Sequence, residues 1–473
     1  MSHKSQLIKN TAIIAIGKIS TQVLSYILLP LYTAKMAVEE YGTYDLVCTL
    51  SIFLCPLISL LMEESMFRFL IDAKDEQERK DVISQTLIYT GIGIAIFIPL
   101  TILYFNIFTN YSGFFIFTFI AFVLSNMGIW VSNALARGLS NIKLYSVSNF
   151  ILGISTIILT IVILLAKPTA EGLLWANLLA NFIASFFIFF RLKLKRFLGK
   201  YNKRLMKKMV KYSFPLVPNS ISWSIINMSD RIIITQLIDS GANGIYAMAS
   251  RFPNIINVLY SYFYTAWKES AAQIIKEDNR DKYYNSIYHD ITKFLFAVTI
   301  CLIAAMPFAF PIFINKNYND AYQYIPLIMI ATYYSCMSSS YGGIFGALKK
   351  TKIMGTTTLV AAILNLIVDF ALIKFIGIYA ACISTLFSNL FIYVYRKIKL
   401  KRYLKLTELN KNIAIGMLAI ICFTYYTKFI AFVPNIWYWI LNVISLLIAI
   451  VYSLIINRQF IKLFIRKLKS RIS

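Results

Sequence analysis

The chain has 473 residues, 59% of them hydrophobic, 15% aromatic and only 14% charged, with 47 Lys and Arg against 21 Asp and Glu. This balance excludes an ordinary soluble core. It also excludes a nucleic-acid binder, because the basic residues gather at the ends of apolar segments rather than along one polar face. The 6 cysteines form no CxxC and there are only 2 histidines, so neither a metal centre nor a disulfide framework is expected.

Apolar runs long enough to cross a bilayer occupy 11–34, 42–67, 82–108, 113–136, 144–166, 169–191, 213–238, 243–267, 284–311, 321–347, 353–374, 376–396, 412–431 and 436–457, about fourteen in all. Numbering the gaps alternately, roughly 38 of the 47 Lys and Arg fall on one side of the membrane. Positive charge resists translocation, so that side is cytoplasmic and both termini lie there. Lys4 and Lys9 precede the first run, but it contains Gly17–Lys18 and reaches Pro30 without a small-residue cleavage site. It reads as a retained helix, not a signal peptide. Lys167–Pro168 and Gly377 separate two pairs of spans joined by very short outer turns. The outer loops are too short to hold a domain. The loops at Arg191–Lys211 and Arg396–Lys411 and the tail from Arg458 are basic; they read as determinants of topology, with a regulatory lipid site as the lesser alternative.

The chain repeats itself at a spacing of about 200 residues. Lys9, Ile19, Ser20, Thr33, Gly42 and Tyr44 match Lys211, Ile221, Ser222, Thr235, Gly244 and Tyr246, and further on Gly172, Ala176 and Arg191 match Gly377, Ala381 and Arg396. Each copy holds an even number of spans, about six, so the copies enter the membrane from the same side. The expected organisation is an all-α polytopic membrane protein: an N-lobe over 1–196, a basic linker over 197–211, a C-lobe over 212–400, and two further helices with a basic tail over 401–473.

Charges inside hydrocarbon are costly and face a cavity or a partner. Lys18, Arg251 and Asp369 lie deep in their spans, and Asp230 and Arg231 lie in the seventh. For Lys18, Arg251 and Asp369 a cavity is the favoured reading over a structural ion pair. Glu63, Glu64, Arg68 and Lys293 sit near span ends, where reaching to the interface accounts for them. Asp230 and Arg231 point about 100° apart on a helix and are not expected to face one site directly. Polar residues recur at helical spacing, as in Trp223, Asn227 and Asp230, in Tyr246, Ser250 and Asn257, and in Thr358, Asn365 and Asp369. Lys18, Gln22, Trp223, Asn227, Arg231, Tyr246, Arg251 and Asn257 form the candidate substrate-binding set. Arg and Lys suit phosphate, while amide and aromatic side chains suit sugars, so the expected cargo is anionic and sugar-bearing.

Ser229-Asp230-Arg231 followed by Gly244-Ile245-Tyr246-Ala247 and Ala266-Trp267, Pro30-Leu31-Tyr32 before Tyr41-Gly42-Thr43-Tyr44, and Ala136-Arg137-Gly138-Leu139 before Lys143 resemble the polysaccharide (Wzx-type) flippases. These belong to the multidrug/oligosaccharidyl-lipid/polysaccharide exporter superfamily. The resemblance spans nearly the whole chain. It implies two lobes rocking about a cationic cavity, and a substrate made of an oligosaccharide on a polyprenyl (pyro)phosphate. Lys18 and Arg251 would contact phosphate, and the last two helices would help form a groove for the lipid tail. It implies no cofactor, a plasma-membrane location, and a glycan polymerase or transferase as further partner. Asp230, Asp369, Glu63 and Glu64 are the candidates for an ion-coupling site, with H+ and Na+ both open. An ion-coupled small-molecule antiporter of the same superfamily is the alternative; a membrane polymerase or glycosyltransferase is a weaker one.

Overall fold

The computed structural model describes residues 26–193, 199–275, 277–348, 350–405 and 435–458. Lys18 and Gln22 lie outside the described residues, as does the span expected at 412–431. Every described element is a helix. In chain order they are α1 Leu29–Lys35, α2 Val38–Ser59, α3 Met62–Asp72, α4 Glu76–Phe108, α5 Gly113–Gly138, α6 Ile142–Ala166, α7 Ala170–Leu192, α8 Lys203–Ser213, α9 Val217–Leu237, α10 Ser240–Ala249, α11 Arg251–Ile274, α12 Arg280–Phe313, α13 Ile325–Ala347, α14 Thr351–Ile376, α15 Tyr379–Leu400 and α16 Asn435–Ile456. Short 3-10 turns at Phe214–Leu216 and Lys316–Gln323 join some of them. Among the described residues, 8 helices are long and apolar enough to cross a membrane: α2, α4, α5, α6, α7, α12, α14 and α16. Helices α9, α11, α13 and α15 are also of spanning length but carry more polar side chains.

The helix starts follow from local chemistry. Asp75, Ser112, Asn141, Thr169, Asn202 and Asp239 each accept a backbone N–H of the first turn that the helix itself leaves unpaired. The short turns expected at Lys167–Pro168 and Gly377 are present: α6 gives way to α7 there, and Gly377, at φ 56°, closes α14.

The chain packs as two compact units, Met1–Met228 and Ser229–Ser473. In the first, α7 packs on α6 and α5, and α3 packs on α4, α5 and α8. Its core joins Met62, Met66 and Leu70 of α3 to Val82 and Ile83 of α4, Val131, Ala134 and Leu135 of α5, and Met206 and Met209 of α8. In the second unit, α15 packs on α13 and α14, α11 packs on α13, and α12 carries α16.

Two expected spans are divided. The run 42–67 breaks at Leu60 and Leu61, which take φ of 47° and 55°, a left-handed conformation costly for branched side chains. The Ser59 hydroxyl donates to the Cys55 carbonyl at 3.0 Å and accepts the Leu61 N–H at 3.2 Å, replacing helix bonds at the break. Ile58 lies just before it, with its carbonyl turned to Gly93 of α4, where an added Cβ would collide with that oxygen. The run 243–267 divides at Ser250 into α10 and α11.

Replacing Gly93 with Ala should therefore force α4 off the broken end of α2. We expect a loss of about 1–3 kcal/mol, read as a lower unfolding temperature of the purified protein. Gly91→Ala, where nothing lies within 4 Å of the added carbon, should leave it unchanged.

Candidate ion-coupling site

The polar side chains of the second unit converge on two carboxylates. Asp230 of α9 and Asp369 of α14 are 2% and 0% exposed. Each lies seven residues from the end of its helix, about 10 Å along the axis at 1.5 Å per residue. Tyr246 of α10 and Thr385 of α15 both donate their hydroxyls to Asp230 Oδ2, at 2.5 and 2.7 Å. Beside them, Asn365 Oδ1 accepts from the Ser229 hydroxyl at 2.8 Å, and Asn365 Nδ2 donates to Ser384 Oγ at 3.0 Å. Ser384 in turn donates to the Ala381 carbonyl at 3.0 Å. Four helices thus supply one buried network.

The network is incomplete at its centre. Asp230 Oδ1 and both carboxylate oxygens of Asp369 are buried without a hydrogen-bond partner among the described residues. Asp369 neighbours the Asp230 carboxylate and Ser384. No Lys or Arg of the described residues lies within salt-bridge distance of either acid. Neighbouring carboxylates in a low-dielectric interior repel, and a buried acceptor without a donor carries its full desolvation cost. The arrangement is complementary to a small positive charge: a proton, or a hard monovalent cation, which prefers an all-oxygen shell of this kind. No group of three His, Cys, Asp or Glu able to hold a metal occurs among the described residues.

Among the described residues Asp369 therefore forms no structural pair with a lysine or arginine. Asp230 and Arg231, expected to serve different sites, both meet Tyr246. Asp230 takes its hydroxyl, while the Arg231 guanidinium lies 5.7 Å from its ring centroid. Glu63, expected to reach towards the interface, is instead 5% exposed at the first turn of α3, where the break after Ser59 turns it inward. Its Oε2 has no hydrogen-bond partner among the described residues. Glu64 is exposed, and Arg68 pairs with Asp72 at 3.1 Å with both side chains at least half exposed. Of the substrate-binding set, Trp223 lies half-buried in the first unit, and the Asn227 side chain is outside the described residues. Arg251 is half-buried at the start of α11, and Asn257 is exposed, accepting from the Cys336 thiol at 3.6 Å.

Sequence reading assigned no role to Thr385 or Ser384, and read Arg396 as the start of a basic, topology-setting loop. The first two sit on an otherwise ordinary small-residue face of α15. Arg396 is 2% exposed. Its Nε donates to Thr357 Oγ1 at 3.1 Å, its two terminal nitrogens to the Ser338 carbonyl at 3.1 Å, the Met354 carbonyl at 3.2 Å and Thr358 Oγ1 at 2.9 Å. It ties α13, α14 and α15 together through neutral acceptors. Its partner in the repeat, Arg191, is exposed.

A family model described as polysaccharide biosynthesis protein matches residues 7–267, more than half of the chain. The chain belongs to that family. No curated protein matches. Among solved structures, the lipid II flippase MurJ in an inward closed conformation superposes with a TM-score of 0.70 at 17% identity, over 94% of this chain and 99% of that one. An inward-facing multidrug resistance MATE family transporter of the MOP superfamily superposes at 0.64 and 15% identity, over 82% and 98%. A mutant form of the Vibrio cholerae MATE transporter VcmN gives 0.56 and 13% identity, over 84% and 97%. The fold is that of these MurJ and MATE transporter structures, and the protein is a multi-pass membrane protein.

The buried and exposed arginines of the two repeats make a paired test. Arg396→Lys gives up the planar fork that bridges three helices and should cost about 1–3 kcal/mol. Arg191→Ala should stay within about 0.5 kcal/mol of the parent. Thermal unfolding of the purified variants reads both.

Proposed function

We propose that the protein is a flippase that carries a polyprenyl-(pyro)phosphate-linked oligosaccharide from the cytoplasmic to the outer leaflet, driven by a cation bound between Asp230 and Asp369. The observation that carries the reading is the pair of buried carboxylates with three unpartnered oxygens, in a chain of the polysaccharide biosynthesis family. A solved lipid flippase of the same fold, matched over nearly the whole of both chains, supports it.

In this reading the protein is a carrier and not an enzyme. It sits in a bacterial-type plasma membrane with both termini inside, following the charge asymmetry of the loops. Lys18 and Arg251, with Arg231 nearby, bind the phosphate, and Trp223, Asn227, Gln22 and Asn257 meet the sugars, while Tyr246 links this set to Asp230. The lipid tail stays in the bilayer, so only the polar head needs a path. The lobes alternate between inner and outer access. A cation on Asp230 and Asp369 relieves the repulsion within the pair, and its release leaves two like charges that oppose the hydrogen-bonded arrangement of α9, α14 and α15. Ion binding and helix packing are thereby linked, as coupling requires. A glycan polymerase or transferase would receive the cargo on the outside. The likeness to MATE transporters favours one second reading, an ion-coupled exporter of small molecules.

Reconstituted vesicles decide between them. A lipid-linked oligosaccharide placed in both leaflets should become accessible to a membrane-impermeant glycosidase in an ion-gradient-dependent way. Asp230→Asn and Asp369→Asn should each lower gradient-driven movement at least about tenfold, a loss of about 1.4 kcal/mol or more in coupling, without loss of substrate binding. Lys18→Gln with Arg251→Gln should lose substrate binding itself. Gradient-independent movement by all variants would contradict the coupling site. Export of cationic dyes with no glycolipid movement would support the antiporter.

A further inference from the structure

The linker helix α8 presents two unlike faces. Leu205, Met206, Met209 and Val210 face the first unit, where Met206 and Met209 join its core. The Met209 carbonyl accepts the Ser65 hydroxyl at 3.0 Å. The segment before the helix is fastened to α4. The Lys200 N–H donates to Asp81 Oδ1 at 3.1 Å, the Asn202 N–H to Gln85 Oε1 at 3.2 Å, and Gln85 Nε2 to the Lys200 carbonyl at 2.9 Å. The apolar side of this amphipathic helix is therefore already satisfied by protein.

The opposite face is cationic. Arg204, Lys207, Lys208 and Lys211 stand at i, i+3, i+4 and i+7 and form one exposed stripe, flanked by exposed Lys203. The helix contains no acid. Asp72, Glu78 and Asp81 line a cleft with Arg204 and Lys208, but all three are engaged elsewhere. Asp72 pairs with Arg68, Glu78 Oε2 accepts the Lys74 N–H at 2.8 Å, and Asp81 accepts from Gln77 and Lys200. None of the five cations forms a salt bridge within the described residues. Tyr201, Tyr212, Phe214 and Leu216, at 60%, 43%, 57% and 40% exposure, flank the stripe along the chain. Aromatic and apolar groups next to unpaired cations, between the end of α7 and the start of α9, fit the headgroup boundary of a bilayer.

We propose that the cationic stripe of α8 is a binding surface for anionic phospholipid headgroups of the adjacent leaflet, and that bound lipid holds α8 against the core of the first unit. An uncompensated row of five cations concentrates anionic lipid, and the flanking rings set the depth at which the helix meets the surface. Because the apolar face is already buried, lipid engages this helix by charge, not by insertion of its hydrophobic side. The inference does not depend on what cargo the protein moves.

Hydrogen exchange of residues 200–213, measured on the full chain in lipid nanodiscs, tests it. Exchange should be about tenfold slower in discs containing phosphatidylglycerol than in discs of phosphatidylcholine alone. Raising salt from about 0.1 to about 1 M shortens the screening length from about 10 to about 3 Å and should remove the difference. The K203Q/R204Q/K207Q/K208Q/K211Q variant should show no difference between the two lipids, while the K203R/K207R/K208R/K211R variant should retain it. Unchanged exchange elsewhere in the first unit establishes that the variants are folded. Equal exchange of wild type in both lipids would overturn the proposal. So would full protection by inorganic phosphate in phosphatidylcholine discs, which would make the ligand a free oxyanion and not a lipid surface.

Discussion

A charge taken out of water has to be neutralised or hydrogen-bonded, and inside a membrane protein no surrounding solvent does this. The second unit is organised around that constraint. Asp230 receives two hydroxyls on one oxygen, yet its other oxygen and the whole Asp369 carboxylate receive none among the described residues. Removing a charge from water costs several kcal/mol per ion, and here two of the same sign adjoin. Helices α9, α10, α14 and α15 nonetheless converge on them, each contributing a side chain to the network. Such a polar centre is costly as plain structure, and it becomes intelligible when a proton or cation completes it.

Arg396 solves the same problem in the opposite way. It is as deeply buried as the acids, but its guanidinium is bonded to two carbonyls and two hydroxyls. Nothing there asks for a further ligand, so it acts as a tie between helices. The contrast between a satisfied buried cation and an unsatisfied buried acid pair separates packing from function in this unit. The repeat sharpens the point. Shifted by the spacing that aligns Tyr44 with Tyr246, Asp230 falls on Leu28, which is buried and apolar. Among the described residues of the first copy the position matching Asp230 is apolar, and Glu63 lies at a different place, beside the break in the second span.

The all-helical membrane fold was legible in the sequence because membrane spans are set by composition over long windows. The turns at Lys167–Pro168 and Gly377 could be read because Pro and Gly act locally. The break at Leu60–Leu61 could not: neither residue favours a left-handed backbone, and the Ile58 carbonyl beside it meets Gly93, far away in the chain. Asp230 and Asp369 stood out as acids within apolar runs, but their adjacency joins helices far apart in the chain, and periodicity carries no such information. Arg396 read as an interfacial residue because it ends a span, and Thr385 had no signal beyond its helix. The linker illustrates a further limit, since its charge was plain while the burial of Met206 and Met209 was not.

The central claim is that Asp230 and Asp369 share a site for one positive charge. Unfolding temperature of the purified protein, titrated with Na+ against choline at constant ionic strength and then with pH, measures it most directly. The account predicts that Na+ or acid raises the stability of the wild type, and that Asp369→Asn, which removes the like-charge neighbour, is more stable without either and responds to neither. A wild type insensitive to both Na+ and acid, or an Asp369→Asn variant that responds as the wild type does, would contradict it.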